Sequence, residues 1–267
     1  MTGSLKKGLL AVFAAAAMVL VIACFTAPDT YAAEGEMIKA EPVTSTQTAG
    51  SFKTSAVPTT LWKISVAKNG YVAIHPQSTG TYEYSYQVKV LKSNKKSLFS
   101  GYESLSPSKN NTTYVGLLKG TYYVRVRTNT PSYVLYYTLH KPGVSSRGTS
   151  QSSAKKLSKG HTKKGIVYTN NYKKQYYYKL INPKTQRVTL KMKFLLSSGN
   201  SGYSALRIKF FQKGHSKNVQ RTTVSSLSKS GTIKLYTLGQ NNKLKKGTYY
   251  IVVYGYKHGS GYYTLKW

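Results

Sequence analysis

The 267-residue chain carries six acidic side chains, Asp29, Glu34, Glu36, Glu41, Glu83 and Glu103. That short supply limits what the chain can catalyse. Glycoside hydrolysis needs two carboxyl groups at a set separation. Beyond residue 50 only Glu83 and Glu103 remain. Glu83 falls on the polar face of an expected strand, Tyr82–Val90, and Glu103 in an expected loop, Gly101–Ser104. Both read as solvated surface acids. A Ser-His-Asp triad lacks its Asp, and the one Cys, Cys24, lies in an N-terminal apolar run. Oxygen-ligated Ca²⁺ or Mg²⁺ draws on several carboxylates. The histidines, His75, His140, His161, His215 and His258, are scattered over expected loops and strand ends and lack the short spacings of a zinc site. The expectation is a chain with no metal, no cofactor and no catalytic residue.

The chemistry that is present is cationic and aromatic. Forty Lys and Arg give a formal net charge of +34, and 25 tyrosines stand beside 7 Phe and 2 Trp. After Gly120 the residues alternate. If Tyr122, Val124 and Val126 face a core, then Tyr123, Arg125 and Arg127 face out. In a second stretch Tyr250, Val252, Tyr254 and Tyr256 take the outward side. Rings and guanidinium groups on one exposed strand can stack on sugars or bases and pair with phosphate or carboxylate. The competing expectation for any one tyrosine is cross-strand packing with a wet hydroxyl. Tyr123, Arg125, Arg127, Tyr250 and Tyr254 are the candidate ligand-binding residues.

The elements that must position them read as strands. Trp62, Ile64 and Val66 alternate with Lys63 and Ser65. Val188, Leu190, Met192 and Phe194 alternate with Thr189, Lys191 and Lys193. Leu206, Ile208 and Phe210 alternate with Arg207 and Lys209. Period-2 alternation with one polar face marks antiparallel sheets covered on one side. Gly259-Ser260-Gly261 reads as a hairpin turn.

Residues 1–33 read as a signal peptide: Lys6 and Lys7, an apolar run Leu9–Phe25, then Ala32 and Ala33 as a cleavage point. Two alternatives stand beside cleavage there. Val21-Ile22-Ala23-Cys24 has the form of a lipobox, which would make Cys24 an acylated first residue of a lipoprotein, and an uncleaved anchor is the other. Removing residues 1–33 takes away two lysines and Asp29, which leaves net +33, no cysteine and no membrane span in the mature form. An exported chain without disulfides must be held by its core.

A repeat sets the domain count. Lys119-Gly120-Thr121-Tyr122-Tyr123-Val124 returns as Lys246-Gly247-Thr248-Tyr249-Tyr250-Ile251, and Tyr137-Thr138-Leu139 as Tyr263-Thr264-Leu265. Trp62-Lys63-Ile64 matches Tyr178-Lys179-Leu180, Val72-Ala73-Ile74 matches Val188-Thr189-Leu190, and Val88-Lys89-Val90 matches Ile208-Lys209-Phe210. The expected organisation is a flexible leader at 34–50, a β domain at 51–140, a linker at 141–153 and a second β domain at 154–267. The second domain holds 24 Lys and Arg and no acidic side chain, so its positive field goes unanswered except at the chain terminus.

This pattern of a first-strand aromatic, G-x-V-x-I/L, V-x-V, G-T-Y-Y and a closing Y-T-L resembles the bacterial pre-peptidase C-terminal (PPC) domain. The resemblance implies an all-β fold of two tandem jelly-roll-like antiparallel β-sandwich domains of a secreted protein. Some relatives bind Ca²⁺ through Asp residues near the first and third strands. This chain has Tyr, Lys or Asn there, so calcium is not implied.

The partner that fits best is an anionic cell-wall polymer or polysaccharide at the cell surface, held by charge and tandem multivalency. A host-matrix component or glycosaminoglycan would use the same charges. Extracellular nucleic acid is a third candidate, and export puts intracellular nucleic acid out of reach. The oligomeric state is left open.

Overall fold

The computed structural model of the protein describes residues 37–47, 58–80, 85–98, 103–105, 112–130, 132–196, 205–214, 220–225, 230–236, 241–256 and 259–267. The expected signal peptide with Cys24, and Glu83, His215 and His258, lie outside the described residues.

The chain is all-β and forms two β-sandwiches. The first is built from β1 (Met37–Lys39), β2 (Glu41–Gln47), β3 (Pro58–Val66), β4 (Gly70–Ser78), β5 (Tyr86–Lys92), β6 (Glu103–Leu105), β7 (Thr113–Leu117), β8 (Gly120–Arg127) and β9 (Tyr133–His140). Its four-stranded sheet has the order β1-β9-β4-β7 and its five-stranded sheet the order β2-β3-β8-β5-β6. The second is built from β10 (Lys155–Lys156), β11 (Thr162–Val167), β12 (Tyr176–Asn182), β13 (Val188–Leu196), β14 (Ala205–Gln212), β15 (Gln220–Ser225), β16 (Ser230–Leu235), β17 (Gly247–Tyr256) and β18 (Gly261–Lys266). Its sheets run β11-β18-β13-β16 and β10-β12-β17-β14-β15. Pairing is antiparallel except between β10 and β12.

Alternation builds each core. Trp62, Ile64, Val88, Val90, Tyr122, Val124 and Val126 from one sheet meet Val72, Ile74, Val115, Leu117 and Leu135 from the other. In the second sandwich Tyr178, Leu180, Ile208, Phe210, Tyr249 and Ile251 meet Leu190, Met192, Phe194, Tyr263 and Leu265. Burying a side chain of this size contributes roughly 1.5–3 kcal/mol.

Cross-strand register relates the sandwiches closely on one side. Trp62 lies opposite Val124, and Tyr178 opposite Ile251. Val88 lies opposite Val126, and Ile208 opposite Val253. The other sheets differ. Val72 faces Leu139, but Met192 rather than Val188 faces Leu265. An even-numbered slip keeps the same faces inward, so apolar alternation alone does not separate these registers.

Five expectations are corrected. The segment expected as a flexible leader at 34–50 is strand over 37–47: β1 adds to β9 and β2 to β3, with a register shift between Pro42 and Thr44. Ala40 between them is 2% exposed and its N–H donates to Leu135 O at 2.8 Å. An edge strand makes only one ladder, and over 37–43 only Ala40 is buried, so this segment carries little apolar periodicity. The segment expected as a linker at 141–153 is tied down. Gly148 bridges Tyr177, and Ser145 N–H donates to Lys164 O at 3.0 Å. Glu103 stands in β6, opposite Val88, not in a loop. His75 lies within β4 rather than at a strand end, its Nδ1 3.2 Å from Thr112 Oγ1.

The fifth correction places Gly259-Ser260-Gly261. It joins β17 to β18, which belong to opposite sheets, so it is a crossing between layers and not a hairpin. Ser260 is buried where the sandwiches meet. Its Oγ accepts from the Gly116 N–H at 3.3 Å and from Thr169 Oγ1 at 2.6 Å. Thr169 begins a 3-10 turn, Thr169–Asn171. Tyr71 of the first sandwich stacks on Tyr262 of the second at 5.3 Å between centroids, with Ile166 in the same cluster. A Cβ on Gly116 would run into the Val167 carbonyl oxygen, so glycine permits this approach.

Candidate functional site

The candidate residues sit on the outer faces of the two five-stranded sheets. On β8, Tyr122, Val124 and Val126 are buried, and Tyr123, Arg125 and Arg127 are half-buried on the opposite face. Cross-strand pairing gives each a setting. Tyr123 lies between Lys63 and Leu91, Arg125 between Leu61 and Lys89, and Arg127 between Thr59 and Gln87. Lys95 Nζ is 6.0 Å from the Tyr123 ring centroid. Lys63 Nζ pairs with Glu41 at 3.1 Å, where both side chains are open to solvent. This face therefore holds two arginines and three lysines, Lys63, Lys89 and Lys95, around one ring, with an acid at its β2 edge.

The second sandwich presents a denser arrangement. Arg207 lies opposite Tyr254, and Lys209 opposite Val252. The charges reach diagonally along the pleat. The Arg207 guanidinium carbon is 3.2 Å from the Tyr256 ring centroid, and Lys209 Nζ is 5.0 Å from that of Tyr254. Tyr177 lies opposite Val252 on the other side, and Lys179 opposite Tyr250. A cation over a ring face is attracted by the ring quadrupole, by about 0.5–1 kcal/mol where exposed. That attraction holds the cations against the sheet and leaves their outer sides to solvent. No carboxylate side chain occurs from residue 104 to 267, so none can neutralise this face from its own sandwich.

Tyr250 is corrected. Register puts it on the outward face, but it is 6% exposed, because Phe211 packs against it at 5.4 Å between centroids. A covered ring cannot stack on a ligand. Tyr254 remains half-exposed. The structure thus groups Tyr123, Arg125 and Arg127 on one sheet and Tyr254 on another, and removes Tyr250. It adds Arg207, Lys209, Lys179 and Tyr177. The alternation of Arg207 and Lys209 is visible in the sequence. The placement of β14 beside β17 is not, since Arg207 and the Tyr254 it faces stand 47 residues apart along the chain.

One polar cluster lies inside the second sandwich. Tyr178 and Tyr263 hydroxyls meet at 2.8 Å. Burial pushes the Tyr178 phenol up to about 12, and pushes that of Tyr263 well above its ordinary value. Arg147, from the segment expected as a linker, covers the Tyr176 ring at 3.9 Å and donates to the Ile166 carbonyl oxygen. It also hydrogen-bonds Tyr263 and opposes the rise there. Gly165 lies opposite Tyr263, and any Cβ on it would strike the phenol ring. The cluster is a structural anchor for Arg147. Among the described residues no group of three or more His, Cys, Asp and Glu could hold a metal ion, and no helix is long and apolar enough to cross a membrane.

No known family model matches the chain, and no curated protein matches it. Solved structures overlay it partially. The pre-peptidase C-terminal domain of a Bacillus anthracis collagenase is 15% identical over 46% of this chain and 98% of its own, with a TM-score of 0.33. A Paenibacillus xanthan lyase is 11% identical over 90% of this chain and 26% of its own, with a TM-score of 0.24. The M60 catalytic domain with two CBM51 domains from Clostridium perfringens ZmpB is 8% identical over 79% of this chain and 33% of its own, with a TM-score of 0.22.

Proposed function

We propose that the protein is an exported, non-catalytic binding protein that holds an anionic cell-envelope polymer or polysaccharide on the basic, tyrosine-bearing faces of two PPC-like sandwiches. The observation that carries this reading is the outer face of the β10-β12-β17-β14-β15 sheet. There Arg207 and Lys209 lie on Tyr256 and Tyr254, beside Lys179, in a sandwich that has no carboxylate side chain. Unneutralised positive charge costs stability through self-repulsion, and an anionic ligand relieves that cost. Tyr123, Arg125 and Arg127 form the corresponding platform on the first sandwich. The first module runs from Met37 to about His140 and the second from about Ser145 to Trp267, and the buried junction at Ser260 makes them one bivalent body. Cleavage after residue 33 leaves a mature chain soluble outside the cell or bound at its surface, and cleavage before Cys24 is the alternative that would hold it as a lipoprotein.

The test is co-sedimentation of the mature chain with purified anionic wall polymer, and with heparin and single-stranded DNA as competitors. Arg207→Gln with Lys209→Gln, and Tyr123→Ala with Arg125→Ala, are each expected to weaken retention by about tenfold, more than two neutralised turn lysines do. Retention that is unchanged by both pairs would remove these faces from the account.

A further inference from the structure

The four-stranded sheet of the second sandwich turns a different surface to solvent. Its core side is apolar: Leu190, Met192 and Phe194 on β13, Tyr263 and Leu265 on β18. Its outer side over the same strands holds Lys164, Lys191, Lys193, Lys234 and Lys266, all exposed, with Thr162, Thr189, Thr232 and Thr264 between them. Register makes this a lattice. Thr162, Lys266, Lys191 and Thr232 form one row across the four strands. Lys164, Thr264 and Lys193 form the next, and Thr189 lies opposite Lys234. Lys191 and Lys266 are directly opposed, about 5 Å apart at Cβ. Like charges so placed repel, and the sandwich has no acidic side chain to offset them.

The chemistry of the lattice selects its ligand. The outward positions within its strands carry lysines and no arginine, so they offer hydrated point charges that can sit on successive phosphates without the fixed bidentate geometry of a guanidinium fork. The lattice has no exposed ring: Tyr262, the aromatic that faces out on β18, is buried under Tyr71 where the sandwiches meet. Sugar faces therefore find no exposed ring within these strands, and a lipid surface finds only Leu195, half-buried against the Tyr71–Tyr262 cluster. Successive outward lysines on one strand are about 6.6 Å apart, twice the rise per residue. A phosphodiester chain linked through three-carbon units spaces its phosphates comparably. The threonine hydroxyls lie between the charges and can donate to phosphate oxygens.

We propose that this lysine–threonine face binds a linear phosphodiester polymer, with lysine ammonium groups on successive phosphates and threonine hydroxyls between them. This rests on the reading of the protein as a binder of anionic polymers, and it adds a separate face and the chemical class of ligand.

The experiment titrates the mature chain with a fluorescent 1,3-linked glycerol phosphate oligomer at two salt concentrations. Heparin and phosphatidylglycerol vesicles are parallel arms. Lys191→Gln, Lys193→Gln and Lys266→Gln together are expected to weaken oligomer binding by about tenfold or more, and to flatten the salt dependence by about 0.7 per lost phosphate contact. A charge-matched control, Lys184→Gln, Lys243→Gln and Lys246→Gln in exposed turns, should change affinity by no more than about threefold. Thermal midpoints should be equal or higher in the face variant, since the opposed lysines are relieved. A lower midpoint in the face variant, an equal loss in both triple variants, undiminished binding by the face variant, or binding to vesicles or heparin alone would each overturn the proposal. If the parent chain binds none of the three probes, the broader reading fails with it.

Discussion

Replacing Tyr178 by Phe should make two stability curves cross. Burial raises the Tyr178 phenol from its ordinary 10.0 to about 12, so the folded chain keeps a proton there that the unfolded chain has lost. The phenol's contribution is fully present below pH 10. It declines as pH rises through the window up to 12, because the unfolded state binds fewer protons than the native one. At about 1.4 kcal/mol per pH unit, the loss from Tyr178 reaches about 2 kcal/mol near pH 11.5. The Phe variant loses the 2.8 Å hydrogen bond to Tyr263, a cost of about 1 kcal/mol at neutral pH, and it sheds the alkaline penalty of that phenol. The parent should therefore be more stable at pH 7 by about 1 kcal/mol and less stable near pH 11.5 by a similar amount. Lysine deprotonation relieves self-repulsion over the same range, but equally in both chains. Urea unfolding at constant salt, followed by fluorescence, reads the difference. Parallel curves from pH 7 to 11.5 would show that the phenol is not held protonated by burial, and would refute the reasoning.

Gly165→Ala drives a methyl group into the Tyr263 ring, and should lower stability by more than about 2 kcal/mol or prevent folding, read by soluble yield and thermal midpoint. Ser260→Ala leaves the Gly116 N–H and the Thr169 hydroxyl without their shared acceptor. It should cost about 1–3 kcal/mol and raise amide exchange in β7 and the Thr169–Asn171 turn, while the two cores stay protected. Glu41→Gln removes an exposed pairing with Lys63, and should shift the urea midpoint by an amount equivalent to less than about 1 kcal/mol.

What could be read from the sequence follows from what alternation encodes. Which side of a strand faces the core is local, so the inward set Tyr122, Val124, Val126 and the outward set Tyr123, Arg125, Arg127 are legible from one segment. Strand neighbours are not local. That Arg207 would lie over Tyr256, or Lys191 beside Lys266, depends on which strands cross between layers. The crossing at Gly259-Ser260-Gly261 looks like a hairpin turn because Gly261 is there for close approach and the Gly259 N–H closes a turn onto the Tyr256 carbonyl oxygen at 2.9 Å. Gly261 has φ +140°, and a Cβ there would meet the Leu195 carbonyl oxygen. Strands β1 and β2 are not legible in the sequence because an edge strand buries little. Met37 is 61% exposed and Val43 41% exposed, so apolar periodicity has nothing to record. Tyr250 shows the converse: alternation gives its direction and says nothing of Phe211, which covers it.

The central claim is that an anionic polymer is held by charge on the outer faces of the two sandwiches. Its most direct test is the affinity of the mature chain for purified anionic wall polymer across a range of salt. The account predicts that log K falls linearly with log[salt], with a slope steeper than about −3, equivalent to four or more phosphates engaged at about 0.7 each. It also predicts that neutralising Arg207 and Lys209 lessens the slope. A slope near zero, with binding retained at high salt, would contradict it.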